Sequence, residues 1–83
     1  MGKYQVTYFI DVVSINPNDY TIKETVEAEN EVDAIKKVAI SMTRKDSSNI
    51  EWITNIKGSV KEVISELMQC NYCFTDVRLL NAL

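Results

Sequence analysis

Val26-Glu27-Ala28-Glu29-Asn30-Glu31-Val32-Asp33-Ala34-Ile35 changes its hydrophobic period midway, and that change decides the fold class. Up to Ala28 the apolar positions recur every second residue. Tyr20, Ile22, Val26 and Ala28 share one side and Thr21, Lys23, Thr25 and Glu27 the other, the pattern of a strand with one covered face. Glu24 interrupts the apolar side, as an edge or a bulge would allow. From Asn30 the period becomes helical. Asn30 is a residue type favoured at an N-cap, and Asp33 stands three positions on, where a capping-box acid belongs. Val32, Ile35, Val38, Ala39 and Met42 then mark the buried face of a helix over residues 31–44.

Working back from the junction, residues 3–13 are dominated by β-branched and aromatic types. Tyr4, Val6, Tyr8, Ile10 and Val12 fall on one face, with Gln5, Thr7 and Asp11 opposite, which predicts a strand. Asn16-Pro17-Asn18-Asp19 predicts a turn, because proline fixes φ and the Asn and Asp side chains bond local backbone. Strands 3–13 and 20–28 therefore form a hairpin.

Working forward, Asp46-Ser47-Ser48-Asn49 reads as a loop and residues 50–57 as a third strand, with Ile50, Trp52, Thr54 and Ile56 on one side and Gly58 ending it. Ser59 and Glu62 form an S-x-x-E capping box. Val60, Val63, Ile64, Leu67 and Met68 line one face of the helix that follows. The tail from Tyr72 to Leu83 fits two patterns. Val77, Leu79 and Leu83 suit a strand; Thr75 as a cap with Leu79, Leu80 and Leu83 suits a short helix, and the strand is preferred. The expected order is β-β-α-β-α-(β): one α+β domain over residues 1–83, a small mostly antiparallel sheet with two helices packed on one face. The quoted junction resembles the strand-to-helix junctions of many small bacterial and phage proteins.

Eighty-three residues lie near the lower end of what folds unaided. The 46% hydrophobic and 25% charged fractions are those of an ordinary globular protein. A net charge of −3 and a pI near 4.8 argue against direct binding of nucleic acid or an anionic membrane and leave room for a basic protein partner. Met1-Gly2-Lys3-Tyr4-Gln5 lacks the basic start and apolar stretch of a signal peptide, and no apolar run approaches a membrane span. A cytoplasmic protein with two reduced cysteines is expected.

The chain contains no histidine, so the commonest general base, the commonest metal ligand and every Ser-His or Cys-His nucleophile are missing. Two glycines cannot build a phosphate-binding loop. Catalysis, cofactors and a metal site are accordingly not expected. Cys70-Asn71-Tyr72-Cys73 is a CxxC motif, half of a zinc site that only a dimer could complete. A redox CxxC usually opens a helix, where the dipole stabilises the thiolate; this one closes a predicted helix, where the dipole opposes it. Cys70 also continues the Val63–Leu67 face, which suits a small core residue.

Five of the twelve acids, Glu24, Glu27, Glu29, Glu31 and Asp33, fall within ten positions. They suggest a docking surface for a basic or DNA-binding protein, in the sharpest form an imitation of the DNA backbone. The competing reading is helix-end electrostatics: Glu31 and Asp33 sit in a first turn, and Lys36, Lys37, Arg44 and Lys45 follow along the same helix. Phe9 lies opposite Tyr4, Val6, Tyr8 and Ile10, so Phe9, Val13 and Ile53 would form an apolar patch on the uncovered sheet face, serving a partner or a homodimer. In size, charge and lack of catalytic groups the chain is similar to the small inhibitors and adaptors by which phages redirect host proteins. The expectation is a non-enzymatic intracellular protein that binds and modulates a larger one; a thiol redox module or zinc-bridged dimer is the alternative.

Overall fold

The computed structural model describes residues 1–10, 21–43, 47–70 and 72–82. The chain is α+β, as its changing periodicity requires. In order, it forms strand β1 (Gly2–Ile10), strand β2 (Ile22–Ala28), helix α1 (Glu31–Ser41), helix α2 (Ser47–Asn55), helix α3 (Val60–Leu67), a 3₁₀ turn (Met68–Cys70) and strand β3 (Tyr72–Ala82). The strands make one antiparallel sheet in the order β2-β1-β3. The hairpin and the terminal strand thus form as expected. Asp11 to Val13, the turn at Asn16-Pro17-Asn18-Asp19, and Arg44 and Lys45 lie outside the described residues.

The expected strand at 50–57 is instead α2, with its first residue at Ser47. Ile50, Ile53 and Ile56 recur at intervals of three, and this spacing prevails over the alternation of Ile50, Trp52, Thr54 and Ile56. Ile53, which the strand reading aims away from Trp52, is fully buried, while Trp52 is half-buried against the core. Two polar side chains hold the helix closed through three hydrogen bonds. Thr54 Oγ1 donates to the Ile50 carbonyl at 2.7 Å, the i–4 bond open to a helical threonine. Lys36 Nζ donates to the carbonyl oxygens of Thr54, at 3.1 Å, and Ile56. Those carbonyls have no partner within the helix, so α1 supplies the C-terminal cap of α2.

Gly58 turns the chain from α2 into α3 at φ 128°, a conformation that costs an L side chain strain. A Cβ there would also lie 2.7 Å from Glu62 Oε2. Glu62 is held in place because Ser59 and Glu62 close the capping box, each side chain accepting from the other's backbone N–H. At the far end of α1, the Ser41 and Thr43 hydroxyls donate to the Val38 and Ile40 carbonyls at 2.6 and 2.7 Å, and the helix stops at Ser41, short of 44.

The core lies between the sheet and the helices. Tyr4, Val6 and Tyr8 of β1 meet Ala34, Ile35, Val38 and Ala39 of α1, Ile53 of α2, Val63 and Leu67 of α3, and Phe74 of β3. The Tyr8 and Phe74 ring centroids stand 5.5 Å apart, and these two residues are cross-strand partners. β3 is longer than β1 and fits by two bulges: Lys3 pairs with Asn81 and Tyr4 with Leu79, leaving Leu80 extra, while Thr7 pairs with Asp76 and Tyr8 with Phe74, leaving Thr75 extra. Thr75 Oγ1 donates to the Thr7 carbonyl at 3.3 Å, using the extra residue as a cross-strand tie.

Candidate functional site

Asn30 enters α1 in extended conformation, and its Oδ1 accepts from the Asp33 N–H at 2.8 Å. Asp33 does not return the bond to Asn30. Its Oδ2 accepts from the Glu29 N–H at 3.1 Å and lies 3.4 Å from Lys37 Nζ, which also donates to the Glu27 carbonyl at 2.9 Å. Asp33 therefore belongs to the hinge that fixes β2 against α1. Its carboxylate is engaged by the chain itself.

Glu24 is also engaged internally. It faces the helices in register with Val6, is half-buried, and accepts the Tyr8 hydroxyl at 3.0 Å. Burial, then that bond and the negative charge of Glu24, push the Tyr8 phenol up to about 12. The remaining three acids, Glu27, Glu29 and Glu31, are exposed around the β2–α1 junction. Glu27 sits on the sheet face away from Glu24, so the five acids do not converge on one surface, and the candidate site contracts to these three.

The expected apolar patch on the uncovered face does not form as drawn. Ile53 is buried in α2, and Val13 lies outside the described residues. Phe9 is half-buried and in register with Cys73. The paired positions next along that face are polar: Lys3, Gln5 and Thr7 of β1 stand beside Glu27, Thr25 and Lys23 of β2 and beside Asn81, Arg78 and Asp76 of β3. Arg78 and Asp76 pair at 3.2 Å.

Of the CxxC motif, Cys73 is a half-buried thiol on β3, and Cys70 ends the 3₁₀ turn that follows α3. The motif thus follows a helix and opens none. Whether the Cys70 side chain continues the Val63–Leu67 face lies outside the described residues. Among the described residues no group of three Cys, Asp or Glu side chains is placed to hold a metal ion. No helix among them is long and apolar enough to cross a membrane.

A shallow hollow of about 290 Å³ opens beside the acidic junction, lined by Tyr4, Asn30, Glu31, Val32 and Val60. Sequence reasoning assigned Tyr4 and Val60 to the core and missed the hollow. The available signal was the polar tip that a tyrosine carries into an otherwise apolar face. A second hollow, of about 300 Å³, lies where Trp52, Asn55, Ile56 and Lys57 meet Glu66. No protein-family model matches the chain, and no curated protein or solved structure is significantly similar to it.

Proposed function

We propose that this chain is a non-catalytic cytoplasmic binding module that docks onto, and thereby inhibits or redirects, a larger basic protein through the β2–α1 junction. The observation that carries this reading is the division of labour among the acids. Asp33 and Glu24 are consumed by bonds within the fold, whereas Glu27, Glu29 and Glu31 are exposed around a rigidly capped turn. Charges that merely balanced the helix end would be satisfied by Glu31 and Asp33 in the first turn. Glu27 and Glu29 precede the helix and add nothing to that purpose. A pre-ordered acidic corner loses little entropy on binding, which favours affinity for a small interface. Imitation of a DNA backbone, the sharper form of this reading, rests on the same three carboxylates.

The test is co-purification from lysate of the source cell with and without nuclease, followed by titration of the captured partner against the wild type and the Glu27→Lys, Glu29→Lys double variant. The expected result is a nuclease-resistant stoichiometric partner whose affinity falls with rising ionic strength and at least tenfold on charge reversal. Unchanged affinity in the double variant overturns the reading.

A further inference from the structure

The hollow beside the junction is lined by a tyrosine whose hydroxyl makes no hydrogen bond among the described residues. This residue, Tyr4, is 8% exposed, its ring packed in the core, and its hydroxyl is left to bond whatever enters the hollow. The ring leans along β1 toward Gly2: a Cβ on Gly2 would stand 3.3 Å from Tyr4 Cε2. Gly2 pairs with Ala28, the last residue of β2 before the turn into α1. The hydroxyl-bearing end of the ring is thereby carried to the end of the sheet where Asn30 to Val32 and Val60 wall the hollow.

The sign of the ligand follows from the charges around it. Two helix starts meet here, and each contributes about half a positive charge. Against them stand the full negative charges of Glu29, Glu31, Asp33 and Glu62, offset by Lys37 and Lys61. Several of the amides that would hold an anion are already taken: the Asp33 N–H by Asn30, the Glu29 N–H by Asp33, and the Ser59 and Glu62 N–H groups by the capping box. Glu31, at the rim, is exposed and enters no such bond among the described residues. The walls themselves are apolar, from Val32, Val60 and the Tyr4 ring.

We infer that this hollow receives an arginine or lysine side chain of the protein partner. The aliphatic stem lies between Val32 and Val60 against the Tyr4 ring, and the cationic head meets the Glu31 carboxylate and donates to the Tyr4 hydroxyl oxygen. The inference rests on the proposed basic partner and names the group that the partner inserts.

The experiment is an amide-resolved NMR titration of the full chain with acetyl-arginine methylamide, its neutral citrulline counterpart, and inorganic phosphate. Saturable shifts at Glu31, Val32 and Val60 with the arginine compound, and a citrulline affinity at least about fivefold weaker, are the expected result. Glu31→Gln should abolish that preference, and Tyr4→Phe should weaken arginine binding several-fold. Glu31 is exposed, so its variant tests the inference even where the Tyr4 variant fails to fold. Equal shifts with citrulline, no saturable shift, or saturable shifts with phosphate alone would overturn it. Such a failure leaves the docking reading to its own test, because Glu27 and Glu29 do not line the hollow.

Discussion

Tyr8 donates its hydroxyl to Glu24 Oε1 at 3.0 Å, joining the centre strand to an edge strand inside the helix-covered face. The bond explains why an acid interrupts the apolar side of β2. The β1–β2 register runs unbroken through Glu24, so no bulge is present, and the carboxylate finds its partner in a phenol from the neighbouring strand.

Removing that hydroxyl with Tyr8→Phe should cost about 1 kcal/mol in urea unfolding, because Glu24 stays half-buried and loses its donor. The same bond sets an alkaline limit. Folding raises the Tyr8 pKa from 10.0 to about 12, so the neutral phenol's contribution is complete below pH 10 and is lost as pH climbs from 10 toward 12. Tyr8 should ionise late, with unfolding, in a tyrosinate absorbance titration. A late-ionising component that survives in the Tyr8→Phe variant would contradict this.

Lys36→Met should destabilise the fold by about 1–2 kcal/mol, since the carbonyls of Thr54 and Ile56 lose the ammonium that satisfies them. Hydrogen exchange should accelerate first at the C-terminal turn of α2. A uniform acceleration across the molecule would mean that Lys36 has no local capping role.

Ser59→Ala should cost about 1 kcal/mol by removing half of the capping box. Gly58→Ala should cost at least as much, through positive φ and the crowding of Glu62. Thermal melts of both variants check this. An alanine at 58 that leaves Tm unchanged would show that the turn relaxes to negative φ.

Ile53→Ala should be among the most damaging single truncations, about 2–5 kcal/mol, because the side chain is fully buried between helices and sheet. Thr54→Ala, on the exposed side of α2, should cost far less. The opposite ranking is what a strand with Thr54 inward would give, and denaturant midpoints of the two variants separate the cases.

Ile53 also marks where the sequence was ambiguous. Over residues 50–57 period two and period three share Ile50 and Ile56, and the β-branched composition favours a strand. The deciding facts are tertiary: Lys36 reaches from a different helix to cap this one. The junction at Asn30, by contrast, was legible, because a local cap and a change of period fall within a few residues of each other. Ser59 with Glu62 was legible for the same reason. Of the candidate site, the acidic composition was readable but its division was not. Nothing local distinguishes Glu24, which meets Tyr8 across a strand pair, from Glu27, which faces away. The hollow at Tyr4 depends on how a side chain leans along its strand, which no alternation pattern records.

The pairing of Val6 with Val77 brings together residues about seventy positions apart, and it lies at the middle of the sheet, so a long-range loop closure completes the sheet's centre. Contacts of such long range slow folding relative to a hairpin and its adjoining helix. Before β3 docks, β1 has one bare hydrogen-bonding edge, and Phe74 is missing from the ring cluster around Tyr8. A chain interrupted between Leu67 and Tyr72 would retain an open strand template able to recruit like chains, and its expected fate is aggregation through that edge.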